Sequence, residues 1–188
     1  MLELKDGFML YHGSYCEVRK PNLNKCAKRK DFGQGFYLTS SKDQAESFLR
    51  TSINKALTAG EIENGQGYGY ISVFKFESSR ELKIHIFENA NIEWLHCIAA
   101  HRKKKEFTEI EHDMEKFDVI AGKIADDATN ATLTAYLGEA FGPVGNKEAD
   151  EFCIKQLLPN KLKDQYCFKT EEALECLEFV RSEKIWLK

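Results

Sequence analysis

Proline is scarce in this chain: three prolines and twelve glycines occur in 188 residues, and no Ser/Gly/Pro-rich stretch divides them. The composition therefore marks no linker between domains, and no internal repeat is visible. Long apolar runs are missing as well. The first residues carry Glu3, Lys5 and Asp6, no stretch has the make-up of a secretory signal, and none approaches the ~20 apolar residues of a membrane span. The expected setting is the cytoplasm, without membrane attachment.

Chemistry-bearing motifs are equally sparse. The six cysteines (Cys16, Cys26, Cys97, Cys153, Cys167, Cys176) contain no CxxC, and the five histidines (His12, His85, His96, His101, His112) contain no HxxxH. In a cytoplasmic chain such cysteines are expected to be reduced and mostly packed in the core, and no structural metal is expected. Cys153 and Cys167 have no adjoining histidine or basic residue, which argues against a thiolate nucleophile. No Gly-x-Ser-x-Gly motif or kinase signature is present. Gly65-Gln66-Gly67-Tyr68-Gly69 resembles a phosphate loop only superficially, because it leads into a strand and lacks a helix N-terminus. Excess positive charge is absent too. A formal net charge of -3 argues against holding long nucleic acid by bulk electrostatics. The local runs Lys25 to Lys30 and Arg102 to Lys105 read as solvated faces.

What is present is enough apolar residue for one core: 43% of the chain is hydrophobic and 30% charged, so residues 1–188 are read as a single domain. Phe8 to Tyr11, breaking at Gly13 and Ser14, and Gly35 to Thr39 are apolar-aromatic runs expected to form buried strands. A serine-capped helix is predicted from Ser40 or Ser41 towards Ala59, with Ala45, Phe48, Leu49 and Ile53 at helical spacing and Gly60 as its stop. Tyr70 to Phe76 favours a strand, with Leu82 to Phe87 as its expected partner. Helices are predicted over Ile92 to His101, Ala128 to Phe141 and Asp150 to Leu158, the last stopped by Pro159. Strands are predicted over Phe117 to Ile120 and Gln165 to Phe168, and a Thr170-capped helix runs through Leu174 and Leu177 to Val180. Interspersed strands and helices give an α+β class.

Two of these strands carry a distinctive wording. Tyr11-His12-Gly13-Ser14, followed by Asp31-Phe32-Gly33-Gln34-Gly35-Phe36-Tyr37-Leu38-Thr39-Ser40, resembles the paired signature of the ADP-ribosyltransferase superfamily, especially its poly(ADP-ribose) polymerase-like branch. With the Trp94 helix and the Gln165 strand, the layout is similar to an uncharacterised bacterial family placed in that superfamily. The resemblance implies two small, mostly antiparallel sheets packed with helices around an NAD cleft, with NAD as co-substrate and no metal. It gives His12, Tyr37 and Gln165 as catalytic candidates, and His12, Gly13, Ser14, Gly35, Tyr37, Thr39 and Phe48 as NAD-binding candidates.

Physical chemistry suits those assignments. Nicotinamide is a flat, cationic leaving group, so its site wants an aromatic face and a backbone amide and carbonyl for the carboxamide; Tyr37 and Gly13 fit. A glycine after His12 permits close approach of the ligand, and the imidazole can bond the adenosine ribose. Phe48, eleven residues after Tyr37, stands where the resemblance places an aromatic on the other face of nicotinamide. Read as residues alone, His12 could be a rim histidine, and Tyr37 and Phe48 core aromatics. Gln165 stands where the superfamily has a glutamate that binds the nicotinamide ribose and steadies an oxocarbenium-like transition state. Glutamine can bond that hydroxyl but carries no charge. Asp126 and Asp127 could supply a carboxylate or could be turn and cap residues.

The activity implied is mono-ADP-ribosyl transfer, of the kind bacterial toxins perform, to a protein, nucleic-acid or small-molecule acceptor, with a small antitoxin-like protein as a possible partner. A non-catalytic module binding NAD, ADP-ribose or a protein is the alternative. An RNA phosphotransferase of the same superfamily is a further one, for which the Lys25 to Lys30 run could line the cleft.

Overall fold

The aromatic and β-branched runs pair into two small sheets. A computed structural model describes residues 2–63, 65–102, 107–124, 127–157 and 162–187. The first sheet has the order β1 (Phe8–Ser14), β3 (Tyr68–Phe76), β7 (Leu177–Trp186), all antiparallel. The second has the order β2 (Phe36–Leu38), β6 (Asp164–Phe168), β5 (Val119–Lys123), β4 (Ile84–Ile86), antiparallel except for the parallel β4–β5 pair. The chain is thus α+β with two small, mostly antiparallel sheets.

Helix α1 (Lys42–Thr58) lies on the first sheet. The Ser41 side chain accepts from the Gln44 N–H at its start, and the buried face Ala45, Leu49 and Ile53 packs on Ile71 and Val73. Helices α2 (Ile92–Arg102), α3 (Thr108–Met114), α4 (Asp127–Leu137) and α5 (Lys147–Leu157) enclose the far side of the second sheet. Trp94, Leu95, Ile98, Ile120, Leu133 and Cys153 form the core there. A separate cluster of Leu10, Phe36, Phe74, Val119, Tyr166 and Phe168 fills the space between the sheets. At the α2–α4–α5 junction the buried Asp150 carboxylate accepts from the Tyr136 hydroxyl at 2.5 Å and bonds His96 Nε2 at 2.7 Å, fixing three helices through one side chain.

Several expectations need correction. β1 continues through Gly13 and Ser14 rather than breaking there, because both residues pair with β3. Leu82 to Phe87 is not the partner of β3: its strand β4 joins β5 in the other sheet. The helix capped by Thr170 is only the turn α6 (Glu171–Leu174), and Leu177 and Val180 belong to the long strand β7, paired to β3 with a bulge at Val73/Phe74. The fourth helix ends at Leu137, short of Phe141, while α5 begins at Lys147, before Asp150. Pro159, Ala125, Asp126, the side chain of Asp127 and the basic run beyond Arg102 lie outside the described residues. No helix among the described residues is long and apolar enough to cross a membrane.

Candidate functional site

Among the described residues, the backbones of the two sheets are joined where β1 passes β2. Tyr11 and Thr39 exchange backbone hydrogen bonds of 2.8 and 3.0 Å, forming a single bridge between β1 and β2. In an antiparallel ladder the N–H and C=O of alternate residues point to the same side. Tyr11 therefore faces β2, His12 faces β3, and the Gly13 peptide groups are directed again to the β2 side. There the strands part: among the described residues no backbone bond joins Gly13 to β2.

The His12 side chain spans the gap instead. Its Nδ1 lies 2.8 Å from the Tyr37 carbonyl oxygen, which can only accept, so Nδ1 carries the proton and a neutral ring presents Nε2 as an acceptor. Burial lowers the His12 pKa, and the charge of Lys30 adds to the effect against the opposing bond to the Tyr37 carbonyl. The ring also packs on Phe36, with centroids 4.5 Å apart.

Tyr37 is fixed at both ends. Its hydroxyl donates to the Gly33 carbonyl and accepts from the Phe32 N–H, both at 2.9 Å, which locks the ring into the turn before β2. Burial pushes its pKa well above the usual tyrosine value. Tyr37 is the cross-strand partner of Cys167, and Gln165 is two residues from Cys167 on β6. The period of two puts Tyr37, Cys167 and Gln165 on one face of the sheet.

Sequence reasoning missed the residue at the centre of this face. Asp31, 5% exposed, accepts from Gln165 Nε2 at 2.8 Å through Oδ2, and from Arg102 Nε and a terminal Arg102 nitrogen at 2.9 and 2.5 Å through Oδ1. Gln165 Nε2 also donates to the Lys123 carbonyl at 3.1 Å, and Arg102 reaches Asn130 Oδ1 at 3.0 Å. With its nitrogen held by two acceptors, the Gln165 amide cannot flip, and its planar geometry aims Oε1 away from Asp31. Asp31 stands in the quoted motif, yet nothing local marks its partners, which lie 71 and 134 positions away.

The remaining candidates serve packing visibly. A Cβ on Gly13 would lie 2.1 Å from the Ala45 carbonyl oxygen of α1, and one on Gly35 would lie 2.4 Å from Cys167 Sγ. Glycine is thus demanded at 13 by the helix and at 35 by β6, independently of any ligand. Thr39 Oγ1 accepts from the Ser41 N–H at 3.1 Å and helps start α1, and Ser14 is buried at the end of β1. Phe48, on α1, is not stacked on Tyr37; Lys30 Nζ and Lys55 Nζ each lie 5.6 Å from its ring centroid. Among the described residues no group of three or more His, Cys, Asp or Glu comes together to hold a metal ion.

Residues 8–179 match a family described as "Protein of unknown function (DUF3990)". The chain belongs to that family. None of the curated proteins matches it. Membership brings no chemistry of its own.

The Gln165–Asp31 bond makes one substitution diagnostic. Gln165→Glu replaces an N–H donor with a carboxylate oxygen 2.8 Å from Asp31 Oδ2. Two adjacent carboxylates cannot both ionise easily, so the new glutamate holds its proton to higher pH in the folded state than in the unfolded chain, where its pKa is about 4.3. A raised folded pKa means that the stability of the variant is retained below the unfolded value and lost as pH rises. The expected loss at pH 7 is about 2 kcal/mol, and it shrinks at pH 4.5. Urea unfolding at the two pH values measures it; a loss independent of pH would contradict the Asp31 contact.

Proposed function

We propose that this protein is an NAD-dependent mono-ADP-ribosyltransferase. The observation that carries the reading is the parting of β1 and β2 beyond the Tyr11–Thr39 bridge, which directs a peptide donor and acceptor at Gly13 into the same gap as the neutral His12 ring and the Tyr37 carbonyl. A carboxamide is the natural complement of such a peptide pair, since it presents one acceptor and one donor in a plane. The Tyr37 ring, held by its hydroxyl, offers an aromatic wall to a pyridinium. His12 Nε2 accepts from an adenosine ribose hydroxyl. Gln165 Oε1 accepts from the 2′-hydroxyl of the nicotinamide ribose.

In this reading the bond between the ribose anomeric carbon and the nicotinamide nitrogen breaks, and its electron pair leaves with nicotinamide. The acceptor's nucleophilic atom then bonds the anomeric carbon and releases its proton. The chain's own contribution is placement: Asp31 and the Lys123 carbonyl set the Gln165 amide, and the turn at Phe32 and Gly33 sets the tyrosine. The Asp31 charge is shared with Arg102 and does not stand bare beside the ribose. That neutralisation favours, as a second reading, a module that binds NAD or ADP-ribose without turnover.

The test is free nicotinamide measured after incubation of the purified protein with NAD, with and without cell extract. Release is expected from the wild type and a decrease of at least about tenfold from His12→Ala, the size of one lost hydrogen bond to a charged or polar ligand group. Binding of NAD without release supports the second reading. Neither binding nor release removes both.

A further inference from the structure

Lys30 stands apart from the basic run that it ends. Lys25, Lys28 and Arg29 are exposed, as a solvated face should be, whereas Lys30 is half-buried next to Asp31. Its ammonium nitrogen lies 5.6 Å from the centroid of the Phe48 ring, and that of Lys55, two turns along α1 from Phe48, lies 5.6 Å from the same centroid. Among the described residues neither lysine forms an ion pair with a carboxylate. The nearby carboxylate, Asp31, is engaged by Arg102.

Two ammonium groups gathered at one ring repel each other, and a cation–π contact with phenylalanine offsets little of that. Burial, then the charge of Lys55, and more weakly that of Arg102, hold the Lys30 pKa below its ordinary value against the pull of Asp31. Lys30 directly precedes Asp31, whose carboxylate holds the Gln165 amide, so it stands beside the candidate face. Two such ammonium groups complement an anion that carries more than one charge.

We propose that Lys30 and Lys55 form a phosphate subsite on the Phe48 side of the cleft, which takes the diphosphate of a nucleotide ligand. The nucleotide half of this statement rests on the NAD reading; the diphosphate half rests on the two lysines. Phe48 then props the ammonium groups. A cationic nicotinamide ring is repelled from that position and is left to Tyr37 alone.

Calorimetric titration with ADP and with inorganic pyrophosphate, on the wild type, the Lys30→Gln/Lys55→Gln double variant and Lys30→Arg, tests the subsite. The wild type is expected to bind both probes, more weakly as salt rises. The double variant should lose about 30-fold or more in affinity, as expected for two charge-assisted contacts, while Lys30→Arg stays within about threefold of the wild type. Thermal melting checks that the variants are folded. Wild type that binds neither probe, or a double variant that binds both as tightly as the wild type, overturns the subsite. If the double variant still releases nicotinamide from NAD with unchanged KM, the subsite fails and the NAD reading stands. If pyrophosphate binding depends on the lysines but NAD neither binds nor reacts, the subsite stands and the NAD reading fails.

Discussion

Asp31→Ala should cost about 3 kcal/mol of stability and abolish any activity of the cleft. The carboxylate is buried and is bonded twice by Arg102, whose side chain is 21% exposed. Removing one member of such a pair leaves the other charge without its partner in a place where water replaces it poorly. The same deletion frees Gln165 Nε2 from Asp31 and lets the amide turn. Stability and placement therefore fail together. Asp31→Asn separates them: it keeps the size of the side chain and one acceptor, but offers Arg102 no charge. It should lose less stability than the alanine variant, and it presents Gln165 with either a donor or an acceptor. Urea midpoints of both variants, with nicotinamide release measured well below them, distinguish the two effects. A fully stable Asp31→Ala would mean that the Arg102 pair is absent in solution.

Gly13→Ala should be nearly as damaging, at about 3 kcal/mol. The added methyl group would sit 2.1 Å from the Ala45 carbonyl oxygen and 3.0 Å from its carbonyl carbon. Those atoms are helix backbone and cannot rotate aside, so α1 must move off β1 and lose the contacts of Ala45 and Leu49 with Ile71 and Val73. The effect extends to the proposed phosphate subsite, since α1 carries Phe48 and Lys55. Thermal melting checks the prediction; a variant with unchanged melting would show that α1 does not rest on Gly13.

Much of the scaffold was legible. The wording of β1 and β2, the serine cap of α1 and the aromatic run of β3 are local signals that match local structure. The end of the chain was not, because Leu174, Leu177 and Val180 fall at helical spacing as well as in an extended run. Pairing with β3, which only the tertiary structure supplies, decides for the strand. The sequence places β4 beside β3, whereas it pairs with β5, because short strands carry no mark of their partner.

The candidate site divides in the same way. His12 and Tyr37 could be singled out from their neighbours, and the structure adds the bond between the His12 ring and the Tyr37 carbonyl. Asp31, Arg102 and Lys30 could not. Arg102 reads as the start of a solvated basic run and Lys30 as the end of another, because charge patterning along the chain cannot show which member of a run turns inward. Gly13 is a subtler case. Its lack of a side chain suits a ligand, but the packing of Ala45 alone is sufficient to require it.

The central claim is that the gap between β1 and β2 receives the nicotinamide end of NAD. A crystal structure of the protein soaked with NAD, or with NAD and a slow-reacting analogue, tests it most directly. The carboxamide is expected within hydrogen-bond distance of the Gly13 N–H and C=O, with its ring against Tyr37 and a ribose hydroxyl on His12 Nε2. A dinucleotide bound elsewhere, with the Gly13 peptide groups turned to another protein partner, would contradict it.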